Sequence, residues 1–390
     1  MSNYPTYKLS EVADILDSFR KPINSTERTK RIQGKTENEL YPYYGATGQV
    51  GLIDEYLTDG EYVLVGEDGA PFLEPFKNKS YIIRGKAWVN NHAHILSGKK
   101  DVLSNQYLNY FLNSFDYRNY VNGTTRLKLT QGNLTQIPIP LPPLPTQHAI
   151  VSRIETLFAE LDKGVEHLRT AQQQLKTYRQ AVLNHWLNND DGKWETVKLK
   201  DIADVNTGST PKRGNNDYWE NGTIPWITSG ETNNQYITQA SEFITAKAIA
   251  ETNCKIIPKG SLVIAMYGEG KTRGKCAELS IDAATNQALA SITFTDTEIS
   301  KNFAKWFFEK NYQDMRLLSS GGVQPNLNLG IIKNMIIPFP PISEQQRIVK
   351  EIESRLSQAT ASETYIENAL QQAEALRQSI LKKAFSGELV

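Results

Sequence analysis

The stretch LPPLPTQHAIVSRIE, residues 141–155, decides the architecture because the chain repeats it as FPPISEQQRIVKEIE, residues 339–353. Gln147 aligns with Gln345, so the two copies lie 198 residues apart. Solenoid repeats recur every ~20–50 residues, so a spacing this long does not fit that class. The repeat indicates two copies of a whole domain, each followed by a similar tail.

A second echo opens each copy. YKLSEVADI begins at Tyr7 and VKLKDIADV begins at Val197, which is 190 residues later. Each copy therefore has a globular part, residues 7–141 or 197–339, and then a tail that starts at the Pro-rich segment. A duplication of this kind predicts an internal two-fold relation, as in a homodimer fused into one chain.

Each tail is predicted to be a long helix. Apolar residues recur at every seventh position, which is typical of a heptad seam between two packed helices. The predicted seam residues are Ile154, Leu161, Leu168, Leu175 and Val182 in the first copy and Ile352, Ile366, Leu376 and Ile380 in the second. We expect the two helices to pair antiparallel. The length of the seam disfavours the alternative, in which each helix covers its own domain. At Gly164, on the flanking line of the seam, we expect a close backbone approach or a bend.

The globular parts are predicted to be α+β domains, each with a twisted sheet and a late helix. Short apolar runs bounded by turn residues, such as SYIIRGKAWV and ALASITF, predict strands, and residues 105–121 and 301–318 predict helices. The segments between the echoes match poorly, so two similar frames carry two different surfaces. The predicted boundaries are 1–145 for the first domain, 146–190 for the first helix, 191–342 for the second domain and 343–390 for the second helix.

Composition indicates a globular protein of the cytoplasm. The chain has 390 residues, 39% hydrophobic and 22% charged, and its formal net charge is zero. Cys254 and Cys276 are too few for a disulfide framework and are expected to be reduced thiols. No apolar leader or membrane span is evident. Because the net charge is zero, any binding of nucleic acid must depend on local basic patches.

No catalytic or metal-binding residue is predicted. The basic glycine-rich segment YGEGKTRGK, residues 267–275, lacks the glycine spacing of a nucleotide P-loop and of a dinucleotide fingerprint. His92 and His94 alternate along a predicted strand without an obvious third metal ligand. The tetrapeptide with which amino-methyltransferases hold a base is not found.

Glycine-bounded loops with basic, hydroxyl or aromatic side chains are the candidate DNA contacts. Lysine and arginine neutralise phosphates, and an arginine fork can read guanine. A solvated surface hairpin remains an equal alternative for residues 267–275, and aromatic residues in such loops are more often core. The candidates are Tyr43, Tyr44, Thr47, Arg84, Thr124, Thr125, Arg126 and Lys128 in the first domain and Lys212, Arg213, Trp226, Thr228, Ser229, Lys271, Thr272, Arg273, Lys275 and Gln324 in the second.

The chain resembles the specificity subunit of type I restriction–modification enzymes, the HsdS family, over nearly its whole length. The segments that carry the resemblance are IPLPPLPTQHAIVSRIETLFAELD, IPFPPISEQQRIVKEIESRL, WETVKLKDIADV, MYGEGKTRGK with the later TNQA, and LRQSILKKAFSGELV. One departure is YRQAVLNHWLNND, where the first helix lacks the KKAFSGEL ending of the second.

The resemblance implies a non-catalytic subunit with two target-recognition domains, each reading half of a bipartite, asymmetric DNA target. It implies that the helices set the spacing between the halves and dock two methyltransferase subunits. Cofactors are then expected only in partners: S-adenosylmethionine in the methyltransferase, and ATP with Mg in restriction and translocase subunits. Two alternatives stay open, a methyltransferase or nuclease in its own right and a stand-alone DNA-binding regulator or scaffold that assembles through its coiled coil.

Overall fold

The computed structural model describes residues 4–189, 192–268, 272–317 and 327–389. The chain is divided into two compact units. The first is Met1–Ala171 with Tyr365–Val390, and the second is Gln172–Thr364. Each unit therefore combines one globular domain with parts of both long helices.

The first domain is built on a six-stranded sheet. Its elements are β1 (Thr6–Lys8), α1 (Leu9–Val12), β2 (Ala13–Ile15), α2 (Ser25–Ile32), β3 (Tyr41–Gly45), β4 (Gly48–Ile53), β5 (Thr58–Gly66), β6 (Ser80–Val89), β7 (Ala93–Gly98), α3 (Asn105–Ser114), β8 (Val121–Asn122), β9 (Lys128–Leu129), α4 (Gln131–Thr135) and β10 (Pro138–Pro140). The strand order is β2-β7-β5-β6-β3-β4, with β3 and β6 parallel and the other neighbours antiparallel. The helix α5 (Leu144–Leu187) follows.

The second domain repeats this plan with a divided sheet. Its elements are β11 (Thr196–Lys198), α6 (Leu199–Ile202), β12 (Ala203–Thr207), β13 (Ile224–Ile227), β14 (Tyr236–Ile237), β15 (Glu242–Ile244), α7 (Ala246–Glu251), β16 (Leu262–Ala265), β17 (Cys276–Leu279), β18 (Ala284–Thr285), β19 (Leu289–Phe294), α8 (Lys301–Lys310), α9 (Tyr312–Leu317), α10 (Leu329–Lys333), β20 (Ile336–Pro338) and α11 (Ile342–Ser386). One sheet has the order β12-β19-β16-β17-β14, and a smaller one has β15-β13-β18. The α+β prediction is confirmed.

The two sequence echoes of each copy pair with one another. In the first domain β1 is antiparallel to β10, with Tyr7 opposite Ile139. In the second, β11 is antiparallel to β20, with Val197 opposite Ile337. The echo that opens a copy and the echo that closes it therefore form one clasp, which joins both ends of the domain to the start of the long helix.

The long helices run antiparallel, as predicted. In the first unit Ile150 and Ile154, near the start of α5, share a core with Ile380 and Leu381, near the end of α11. In the second unit the order is reversed, because residues near the end of α5 pack with residues near the start of α11. That second core contains Val182, Leu183, Leu187, Ile348, Ile352 and Leu356.

The heptad residues lie in the seam as predicted, and the flanking line departs from the prediction at some positions. Ile154, Val182, Ile352, Ile366 and Ile380 are buried as predicted, and Leu161, Leu168 and Leu175 are half-buried. The prediction is wrong for Leu376, because 51% of it is exposed. The neighbouring Arg377 faces α5 instead, with its guanidinium 4.3 Å from the Phe158 ring centroid. Gly164 is exposed, and a methyl group added to its Cα would meet no heavy atom within 4 Å, so the expected close approach does not occur.

Candidate nucleic-acid interface

Three loops of the first domain meet beside its sheet, and we call them the first loop cluster. They are the β3–β4 turn with Thr47, residues 67–69 after β5, and residues 123–128, which run from the end of β8 to the first residue of β9. The last two are joined where the Leu129 N–H donates to the Glu67 carbonyl over 2.7 Å. Residues from all three loops line a cavity of about 410 Å³. The fold thus brings together loops that are distant in sequence.

A network of ion pairs among Arg20, Glu67 and Lys128 supports the first loop cluster. The Glu67 carboxylate accepts a hydrogen bond from Arg20 and lies 3.0 Å from the Lys128 ammonium. Arg20 also pairs with Asp17 at 3.0 Å, and the buried His94 places Nδ1 2.7 Å from the Asp17 carboxylate. Burial alone would raise the pKa of Glu67, but hydrogen bonds from Arg20 and Lys128 bring it below its ordinary value. Glu67 is therefore ionised at neutral pH.

Arg126 is the guanidinium that the cluster presents to solvent. Its side chain is 63% exposed, and Nη2 donates to Asp68 Oδ1 over 3.1 Å. His92 Nδ1 lies 2.6 Å from the same oxygen. Thr124 and Thr125 precede Arg126 and are exposed. This loop therefore contains four of the predicted residues, namely Thr124, Thr125, Arg126 and Lys128. It presents both cations and hydroxyl groups.

Three further candidates of the first domain lie on strands. Arg84 on β6 is exposed, and its Nε donates to Glu61 over 2.9 Å. Tyr43 on β3 is 3% exposed and packs with Trp88, so its predicted role as a base contact is wrong. The strand points alternate side chains to opposite faces, and this ring faces the core. Tyr44, the next residue, is half-buried.

In the second domain Arg213 lies over two tryptophan rings. Its guanidinium carbon is 4.0 Å from the Trp219 ring centroid and 4.9 Å from that of Trp226. The guanidinium donates through both terminal nitrogens to Glu242, and the Nη2–Oε1 distance is 3.1 Å. Its hydrogen bond to Glu242 raises the pKa of Arg213 further. Lys212 beside it is exposed.

Trp226 itself belongs to the core, so the prediction that it contacts bases is wrong. It is 1% exposed and its indole N–H donates to the Ser209 carbonyl over 3.0 Å. Thr228 and Ser229 follow it and are half-buried. The Thr228 backbone N–H donates to Glu231 over 2.9 Å, which caps the short 3-10 helix Ser229–Asn233. Thr228 thus has a structural role in the free chain.

The basic segment 267–275 is described only in part. Lys271 lies outside the described residues, and so does Gln324 of the later turn. Thr272, Arg273 and Lys275 are half-buried. Lys275 Nζ donates to the Asn233 amide oxygen over 2.8 Å, so Lys275 lies against the 3-10 helix.

Sequence reasoning missed the acidic partners of the candidate arginines. Asp68 lies in the turn GEDG after β5, and acidic residues in turns are too common to indicate a partner. Glu242 gave no signal, because only strand pairing places it beside Arg213. Trp219 could have been noticed, because NDYWENG surrounds an aromatic residue with turn residues.

The described residues contain no cluster of metal-ligating side chains. Nor do they include a helix that is both long and apolar enough to cross a bilayer. Cys254 and Cys276 are free and buried, and burial raises the pKa of the Cys276 thiol, so it is a poor nucleophile.

Two domains of one plan, clasped to antiparallel helices and carrying arginine-bearing loops, define a duplicated recognition protein. The family model for the type I restriction modification DNA specificity domain matches residues 1–167 and again 191–372. The chain therefore belongs to the type I restriction–modification specificity subunit family, whose members are non-catalytic DNA-recognition subunits. The resemblance found in the sequence is confirmed.

Similar proteins cover most of the chain. A Haemophilus influenzae protein assigned as the type I restriction enzyme specificity subunit S.HindORF215P is 29% identical over 87% of this chain and 84% of its own length. The EcoR124I/EcoR124II specificity subunit of Escherichia coli is 24% identical over 89% and 82%. The HsdS subunit from Thermoanaerobacter tengcongensis has the same fold, with a TM-score of 0.60, 16% identity and coverage of 99% and 97%.

Proposed function

We propose that each globular domain reads one half of a bipartite, asymmetric DNA target and that the paired helices set the unread gap between the halves. The main observation that supports this proposal is the duplication of the domain and its helix. The clasps repeat with the same register of strand pairing, whereas the loops beside the sheets differ in sequence. A repeated frame suits contacts made twice with identical partners, and different loops suit two different half-sites.

The helices are also proposed to dock two methyltransferase subunits. Several large side chains on them remain exposed, although their neighbours pack in the seam. Tyr178 is 39% exposed, Tyr365 72% and Leu376 51%. Exposed aromatic and aliphatic side chains of this kind are common anchors at protein interfaces. The predicted partner role of Leu376 is thus compatible with its exclusion from the seam.

The chemistry would lie in the partners. The methyltransferase subunits would hold S-adenosylmethionine, and restriction and translocase subunits would use ATP and Mg. The chain would supply double-stranded DNA recognition, in which arginine and lysine side chains contact phosphates and base edges. Zero net charge is compatible with this role if the partners supply part of the phosphate contact.

The test is methylation mapping with the chain and its cognate methyltransferase in one cell. We expect methylation at a motif of two short parts separated by a fixed gap, and its loss when the chain is removed. The purified chain alone should transfer no methyl group. Methyl transfer by the isolated chain, or an unchanged methylation pattern without it, would contradict the proposal.

A further inference from the structure

Most of the exposed candidate cations are paired with a carboxylate in the free chain. The pairs, each with a nitrogen–oxygen distance of 2.9–3.1 Å, are Arg84 with Glu61, Arg126 with Asp68, Lys128 with Glu67 and Arg213 with Glu242. The candidate interface is therefore locally neutral at these pairs, as the whole chain is in net charge. Membership of a DNA-binding family would instead predict a basic surface there.

The Arg213 pair is fixed by the fold. Glu242 on β15 stands directly opposite Trp226 on β13 in the antiparallel ladder. The Arg213 guanidinium lies over the Trp226 ring and over the Trp219 ring. Its carbon is 4.0 Å from the Trp219 ring centroid. The strand register therefore places the carboxylate beside the stacked arginine, and the arginine side chain is still 54% exposed.

The Arg126 pair has similar support. Asp68 forms a β-bridge with Lys128, which lies two residues beyond Arg126. Its carboxylate oxygen also lies 2.6 Å from His92 Nδ1. The carboxylate is therefore held in the loop cluster whether or not the arginine is bound to it.

We propose that Glu242 and Asp68 are specificity-determining residues that suppress binding to non-target DNA. This inference depends on the proposed DNA-reading role of Arg213 and Arg126. The carboxylate pairs with the guanidinium through both terminal nitrogens at Arg213 and through one at Arg126. This pairing offsets the positive charge, so the arginine fork gains little from phosphates of any sequence. The guanine edge presents two acceptors to the same fork and can replace the carboxylate. Phosphate attraction would draw the chain to all DNA, and the paired carboxylate reduces that attraction more than it reduces target binding.

The test measures binding of the full chain to a random-sequence DNA duplex between about 50 and 200 mM salt, a range over which counterion release changes affinity strongly. Glu242→Gln and Asp68→Asn should each bind more tightly and steepen the slope of log K against log salt by about 0.9, the value for one added phosphate contact. The gain over the unmodified chain should thus be about 3.5-fold larger at the low end of this range than at the high end.

The chain offers a matched control in Glu344→Gln. Glu344 binds Arg347 through two hydrogen bonds of 2.8 and 2.7 Å, and that arginine lies 5.2 Å from the Trp186 ring centroid. The substitution makes the same charge change at a similar pair on α11, outside the candidate interface. A double variant, Arg213→Gln with Glu242→Gln, should bring the slope back to that of Glu344→Gln.

Equal slopes for Glu242→Gln and Glu344→Gln would overturn the inference, and so would no binding by any variant. Failure of the proposed function gives a different result, because methylation mapping would then show no bipartite motif. A steeper slope in both interface variants than in Glu344→Gln would support the inference.

Discussion

At the residue scale, the repeated glutamine explains why the two Pro-rich segments are alike. Gln147 and Gln345 are completely buried. Gln345 Oε1 accepts from the Ser300 N–H over 2.7 Å, and its amide donates to the Glu298 and Pro340 carbonyls over 2.8 Å each. Gln147 makes the same three bonds in the first domain. One side chain thus caps the late helix of the domain and fixes the bend into the long helix.

Gln345→Ala should lower the free energy of unfolding by about 1–3 kcal/mol, because the substitution leaves buried backbone groups without partners. Chemical denaturation of the full chain measures this. The exposed neighbour serves as the control, and Gln346→Ala should change stability by less than about 0.5 kcal/mol. Equal effects of the two substitutions would show that the buried bonds contribute nothing net.

The lowered pKa of Glu67 predicts that the stability of the chain depends on pH. Its pKa in the folded chain is below the ordinary 4.5, so its contribution to stability is complete above that value. The contribution is lost as the pH falls through the lower, folded pKa. Glu67→Gln should therefore show a smaller loss of unfolding free energy than the unmodified chain between about pH 5 and pH 3. Parallel stability curves for the two proteins would contradict this.

At the element scale, the flanking line of the seam follows the prediction at some positions and departs from it at others. Ile150 and Ile348 on the predicted line are completely buried, whereas Tyr178 and Leu376 on the same line are exposed. Phe158, Val165 and Leu356, each four positions after a heptad residue, are buried or half-buried. Both lines contain apolar residues, so the period alone did not choose between them. In the second unit Arg179, four positions after Leu175, faces α11, because its Nη2 donates to Glu363 over 2.8 Å. Long charged side chains thus complete a seam that apolar residues alone leave ambiguous.

Helix length should set the gap between the half-sites. Insertion of one heptad after Leu168 and one after Ile366 keeps the seam in phase and adds about 10 Å. That is about three base pairs, which also turn the second half-site by about a third of a turn. The variant should shift to a longer gap or lose binding, as measured by methylation-site sequencing with its methyltransferase.

Insertion in α5 alone is the control for this experiment. It puts the two seams out of register, so we expect loss of stability in place of a new gap. Full methylation at the original gap by the doubly lengthened protein would show that the helices do not set the spacing.

At the scale of the whole molecule, the duplication, the α+β class, the long antiparallel helices and the family could all be predicted from the sequence. These features depend on periodicity and on short segments, such as residues 141–155 and 339–353, whose physics is local. The strand SYIIRGKAWV, for example, is β6 without a residue of difference. The domain boundaries and the DNA contacts remain predictions.

Which of the candidate side chains are free to contact DNA depends on tertiary contacts that the sequence does not reveal. Tyr43 and Trp226 face the core because strand register, not residue type, sets the direction of a side chain. Glu242 and Asp68 reach Arg213 and Arg126 across 29 and 58 residues of sequence. Contacts over such distances depend on how strands pair and loops meet, and no local pattern of the sequence encodes them.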